Sequence, residues 1–263
     1  MYQLRLIWGF FRISTLNEMA YRTNFYISLL HALLNFITGI LAIVILFDQV
    51  ETIQGWNFNA MLAILGVYLT VSALQDLFIG PSLDALAGLG GDIWTGRFDF
   101  TLLRPVNIQF LVSIQKWRPF TIFNLLLGLG TLCVAVIRLQ QTFNLTYIIK
   151  FMIALSAGMT ILYSILLIFA ALVFISPGFL FTWVFNGLFQ MARYPVGIYP
   201  GWIRLILTWI IPVGIITTIP AEALTGNLSS EMLLASTLFA IALLIAASTV
   251  FRRALWRYAS ASS

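Results

Sequence analysis

Side chains able to do covalent chemistry are scarce in this sequence: it has one histidine, His31, one cysteine, Cys133, and nine Asp+Glu among 263 residues. No nucleophile is paired with a general base in the pattern that acyl or phosphoryl transfer requires, and no His/Cys/Asp/Glu group has metal-ligand spacing. His31 falls about two turns inside an apolar run, where an imidazole more often bonds a neighbouring carbonyl or serine than reacts. Glu222 follows Pro220 at the end of another such run, and an ionisable group at membrane depth is a functional candidate by default. Gly88, Gly90, Gly91 and Gly96 make no phosphate loop, since no strand precedes them and no lysine follows. Without a G-x-x-x-x-G-K-[ST] motif the chain does not hydrolyse ATP alone. The expectation is a non-enzyme with no catalytic residues and no cofactor or metal of its own.

The elements that carry these residues are set by an excess of apolar side chains. The chain is 61% hydrophobic and 9% charged, against roughly 25% charged in a soluble domain. One compact core stops growing near this length, so a soluble enzyme, a disordered tail and a disulfide scaffold are all excluded. The formal net charge of +5 comes from basic residues scattered at the edges of apolar runs. That distribution suits the excess of Lys and Arg in cytoplasmic loops rather than a nucleic-acid surface. The opening Met1-Tyr2-Gln3-Leu4-Arg5 leads into no short apolar region with a cleavage site, so no removable signal peptide is expected.

A helix crossing about 30 Å of hydrocarbon needs about 20 apolar residues. Phe25–Phe47, Phe58–Ile79, Phe120–Ile137 and Met232–Phe251 read as spans. From Phe151 to Ala192 no residue is charged, and at about 1.5 Å per residue that stretch is roughly two crossings long. Ser176-Pro177-Gly178 supplies a turn, giving a hairpin of Tyr147–Phe174 and Phe179–Ala192. Leu205–Ala221 is broken by Pro212 and Pro220, which favours two half-helices that enter the bilayer and return. The alternative makes Phe179–Ala192 interfacial and Leu205–Ala221 the fifth span. Both versions give six crossings with both termini in the cytoplasm.

On the first version ten basic residues (Arg5, Arg12, Arg22, Arg97, Arg104, Lys116, Arg118, Arg252, Arg253 and Arg257) lie inside, and four (Arg138, Lys150, Arg193 and Arg204) lie outside. The second moves Arg193 and Arg204 inward, a distribution that charge alone prefers.

Two cytoplasmic stretches are more than connectors. Leu4–Arg22 spaces Leu4, Ile7, Trp8, Phe11 and Leu16 near a helical period, with Arg5, Arg12, Glu18 and Arg22 between them, as in a helix lying in the interface. The loop Pro81–Lys116 holds a glycine-opened kernel in which Ile93, Trp94 and Phe98 can share one side of a short helix. Trp, Phe and Arg are side chains favoured at protein interfaces, so the loop reads as a docking element. The plainer reading packs it on its own bundle.

In order along the chain come the amphipathic start, Glu18-x-x-Tyr21-Arg22-x-Asn24-Phe25, and Gly96-Arg97-Phe98-Asp99-x-x-Leu102-Leu103-Arg104-Pro105. Tyr194-Pro195-x-x-x-Tyr199-Pro200 and Ile219-Pro220-x-x-x-Leu224-x-Gly226 come after them. This set resembles the type-2 ABC exporter permeases, the six-span transmembrane subunits of bacterial ABC transport systems, over essentially the whole chain.

The resemblance implies one transmembrane permease domain, 1–263, of an all-α membrane protein in the bacterial plasma (inner) membrane. It implies two separately encoded ABC ATPase subunits that bind the ATP and Mg, and a second permease, identical or related, as partners. It places a coupling helix in 81–116, on Gly91, Asp92, Ile93, Trp94, Gly96, Arg97, Phe98 and Asp99. An interfacial gate helix falls on 1–22, with Trp8, Arg12, Glu18, Tyr21 and Arg22. An outer re-entrant gate falls on 199–226, with Pro200, Pro212, Pro220 and Glu222. The 22 Phe, 9 Tyr and 8 Trp would suit an amphipathic or lipid-linked cargo, although aromatics also anchor helices in lipid. An ion-coupled carrier or channel would instead need ionisable groups near the midplane, of which only His31 stands out. A non-transporting assembly subunit is the other rival.

Overall fold

Among the described residues the apolar runs become five helices long and apolar enough to cross a bilayer: Thr23–Gln49, Phe58–Asp84, Pro119–Arg138, Leu145–Val173 and Ser230–Trp256. The structure is a computed structural model that describes residues 2–20, 22–88, 90–139, 145–176 and 181–258. It opens with α1 (Tyr2–Ala20) and α2 (Arg22–Gln49). A hairpin of β1 (Thr52–Ile53) and β2 (Trp56–Asn57) turns through Gln54 and Gly55, both at positive φ, as the tightest hairpin turns demand. Asn57 then caps α3 (Phe58–Leu74) by accepting from the Ala60 N–H at 2.9 Å. The helix continues through a π-helical turn, Gln75–Ile79, into α4 (Gly80–Asp84).

Two short helices, α5 (Phe98–Leu102) and α6 (Ile108–Ile114), occupy the connection to α7 (Ile122–Arg138). After α8 (Leu145–Val173) come α9 (Phe181–Phe189), α10 (Gly201–Leu205), α11 (Val213–Leu224) and α12 (Ser230–Trp256). Ser229 caps α12 by accepting from the Met232 N–H.

The α3 run is the central pillar, with 72% of its apolar window buried, against 17% for both α2 and α12. Small residues let its neighbour in: a Cβ on Gly128 would strike the backbone and hydroxyl of Thr70, and one on Gly66 would strike Leu132. Such close approach is how membrane helices gain packing energy without a hydrophobic driving force. Between α8 and α11 the same device recurs at Gly158, which faces the Ile216 carbonyl. Pro220 has no N–H to offer that carbonyl, so the oxygen is free to meet α8.

The segment after α8 departs from the expected hairpin. Phe179 and the turn at Pro177-Gly178 lie outside the described residues, and the next helix, α9, has only nine residues. At about 14 Å it is too short to cross alone. Its contacts run along α3 from one end toward the middle. The Thr182 hydroxyl bonds the Asp84 carboxylate, Gln75 Nε2 donates to Asn186 Oδ1 at 2.8 Å, and Phe189 packs 5.4 Å from Tyr68.

A 3₁₀ turn, Gln190–Arg193, brings Ala192 under α11, whose Thr217 hydroxyl donates to the Ala192 carbonyl at 3.0 Å. From there α11 runs along α8 toward Lys150, whose Nζ bonds the Leu228 carbonyl. Gly201–Thr208 and Val213–Leu224 meet at 86°, with Trp202, Leu205 and Ile210 exposed. The two arms therefore meet at a right angle, as either a broken span or a re-entrant loop would.

Candidate functional site

The loop 81–116 is pinned to the bundle by some of its expected docking residues and presents others. Ile93 and Phe98 are buried, whereas Trp94 is 52% exposed. These three do not share one helical face, because residues 91–97 form a chain of turns and regular helix begins only at Phe98. The correction has a packing cause: Phe98 sits edge-on against Phe174 and Tyr258 at 5.2 and 5.3 Å. The Tyr258 hydroxyl donates to Asp99 Oδ1.

Gly91 is required by space, since a Cβ there would lie 2.4 Å from the Ala87 carbonyl oxygen; Gly96 is required by its φ of +71°. Buried Asp92 receives Arg97 Nε at 3.2 Å and faces Lys116 Nζ at 3.9 Å. Arg97 also donates to the Gly90 carbonyl at 2.7 Å. Arg97 thus braces the loop, and the side chains turned outward are Trp94, Phe100 and Leu103, the last two 70% and 80% exposed.

The N-terminal helix is fastened to the far end of this loop. The Trp117 N–H donates to Ser14 Oγ and the Phe120 N–H to Glu18 Oε2 at 2.9 Å, while Phe11 packs edge-on against Trp117 at 5.6 Å. Glu18 therefore caps the start of the α7 segment instead of standing among lipid headgroups. Burial raises its carboxyl above the ordinary 4.5, opposed by the Phe120 N–H and by Arg118. Trp8 and Arg12 are exposed. Tyr21 and the side chain of Arg22 lie outside the described residues.

Between α2, α3 and α9 the structure gathers polar groups that the sequence pattern did not single out. Arg193, expected on one surface or the other, lies deep in the bundle: its guanidinium is 5.0 Å over the Tyr68 ring and donates to Asn35. Both partners occupy the middle of their helices, and Nε has no acceptor among the described residues. Asp76, inside the second span, lies within electrostatic reach of His31 and Arg118. Arg193 thus adds a cation to the middle of the spans, whereas Asp76 lies level with the start of the 119–138 span, where the Arg118 N–H meets the Leu77 carbonyl. An aspartate within an apolar run was the available signal for Asp76; only the three-dimensional path of α9 could reveal Arg193.

The expected outer-gate residues are divided. Pro200 starts α10, whereas Pro212, Pro220 and Glu222 belong to the α11 arm. The half-buried Glu222 carboxylate has no hydrogen bond or ion pair among the described residues. No three His, Cys, Asp or Glu side chains among the described residues converge as metal ligands would.

Residues 33–262 match the family model described as ABC-2 family transporter protein. No match was found among the curated proteins.

Proposed function

The chain belongs to the ABC-2 family of transporter proteins, and from that premise we propose that it is the membrane permease of an ATP-driven exporter. It is a multi-pass membrane protein. In this reading two ABC ATPase subunits, which bind ATP and Mg, dock beneath two permeases, this chain and a copy or relative. The face carrying α1 and the loop 81–116 is cytoplasmic, both termini lie there, and the membrane is the bacterial inner membrane. The fifth crossing is composite: α9 traverses one half, α11 the other, and α10 projects sideways between them.

The observation that carries the proposal is the loop's division of labour. A docking element that transmits force must be rigid where it meets its own helices and apolar where it meets a partner. Ile93 and Phe98 are sunk in the bundle while Trp94, Phe100 and Leu103 stand out. ATP binding draws the ATPases together, and the loop conveys that movement to α4 and α12, which biases the bundle between inward-open and outward-open states. Arg193 and Asn35, mid-bundle, are positioned to meet the cargo, which on this account is amphipathic or lipid-linked. An ion-coupled carrier is the second reading, favoured by Asp76, His31 and Arg193.

Co-purification separates the two. The tagged protein is expected to bring down an ATPase subunit, and Trp94→Ala with Leu103→Ala to lose it while remaining folded. Transport that continues without ATP, driven by an ion gradient, would establish the carrier instead.

A further inference from the structure

A cavity of about 680 Å³ opens between α1, α4 and the end of the loop, lined among others by Phe10, Ile13, Arg104, Gln115, Trp117 and Arg118. We propose that it is a binding site for the phosphate headgroup of an anionic phospholipid, held between the interfacial helix and the loop.

Its donors are short of acceptors among the described residues, and Arg118 feels the carboxylates of Glu18, Asp76 and Asp84 only beyond ion-pair distance. Arg104 and Arg118 are exposed and make no side-chain hydrogen bond or ion pair among the described residues. Lys116 Nζ, also on the wall, has only the 3.9 Å approach to Asp92. The Gln115 amide nitrogen is enclosed without a partner among the described residues, an arrangement that a polar ligand would relieve. A rotation of that amide would present it to a ligand oxygen. The two carboxylates on the wall are engaged elsewhere: Glu18 accepts the Phe120 N–H and Asp84 the Thr182 hydroxyl. What converges is a set of cationic and amide donors, the complement of a phosphate oxygen array.

The rest of the wall decides for a lipid. Phe10, Ile13 and Trp117 add apolar surface beside the donors, as a glycerol backbone and the first methylenes of acyl chains require. Trp8, Leu16 and Met19 of α1 are exposed, so this helix keeps its apolar surface toward lipid. The cavity therefore sits where the membrane spans end and headgroups begin. None of this depends on the loop docking an ATPase.

Native mass spectrometry of the full chain in detergent, titrated with phosphatidylglycerol or phosphatidylcholine, tests the site. The wild type is expected to retain one phosphatidylglycerol per chain at a roughly tenfold lower concentration than phosphatidylcholine, since each cation near a headgroup contributes about 1 kcal/mol. Arg104→Gln with Arg118→Gln is expected to abolish that preference, and Gln115→Met, which keeps the bulk, to weaken binding about threefold. Arg252→Gln with Arg253→Gln, neither of which lines the cavity, is expected to leave it intact. A preference that survives the Arg104/Arg118 pair, or is lost equally with Arg252/Arg253, overturns the site. Displacement of the lipid by glycerol 3-phosphate at equal concentration overturns the lipid assignment in favour of a soluble phosphate ester.

Discussion

The loop 81–116 and the break between α9 and α11 are both interruptions of helix, each built around an arginine and aromatic rings, yet they treat that arginine in opposite ways. In the loop Arg97 meets a carboxylate and a carbonyl; the charge is neutralised and the guanidinium serves as a strut. In the break Arg193 rests on an aromatic face and a neutral amide, with no ion pair among the described residues. A cation is expensive at membrane depth, and in the proposed reading this one is kept for an anionic part of the cargo. The loop is a finished structure that offers apolar side chains to a partner; the break is an unfinished electrostatic site.

Phe98→Ala should have the largest effect, because it empties the pocket formed by Phe174 and Tyr258. A loss of about 3–5 kcal/mol is expected, read as a fall in thermal unfolding temperature in detergent. A fall no greater than that of Phe100→Ala would show that the loop is not anchored as described. Trp94→Ala should leave stability nearly unchanged and weaken ATPase association by about 2 kcal/mol, the range of interface hot spots. Titrating the detergent-solubilised permease with its ATPase checks this.

Arg193→Met sharpens the contrast from the other side. Removing a half-buried, unneutralised cation is expected to change stability by less than about 1 kcal/mol, while transport falls roughly tenfold or more. Arg97→Met, by contrast, should disturb the loop and spare the interior. The smallest effect concerns Glu18. Its raised carboxyl makes a contribution that is complete below the ordinary 4.5 and is lost as pH rises through the higher folded value. Glu18→Gln should therefore flatten the pH dependence of unfolding between the ordinary value and the raised one, by under about 1 kcal/mol.

Much of this organisation was legible in the residues. Apolar run lengths bounded by Arg, Asp and Lys gave the membrane class and the five long helices, because bilayer thickness sets a length that sequence displays directly. Glycines were legible as the opening of the loop's kernel, but the space that requires Gly91 and the positive φ that requires Gly96 are visible only in the structure. The side chains of that loop were legible only as a set: which aromatic is inward depends on Phe174 and Tyr258, far along the chain. The 181–224 region resisted most, since a half-helix and a full span share one composition, and their partners on α3 and α8 decide between them. Arg193 looked like a loop charge for the same reason.

Site-specific cross-linking reaches the central claim most directly. With Cys133→Ala as background, Trp94→Cys, Leu103→Cys and Ile93→Cys are each to be treated with a short bifunctional reagent in membranes that also hold the ATPase. Efficient cross-links from positions 94 and 103 and none from 93, with the 94 cross-link altered by ATP, are what the anchored and presented sides of the loop predict. Absence of any cross-link from 94 and 103 to an ATPase that copurifies through another surface would contradict it.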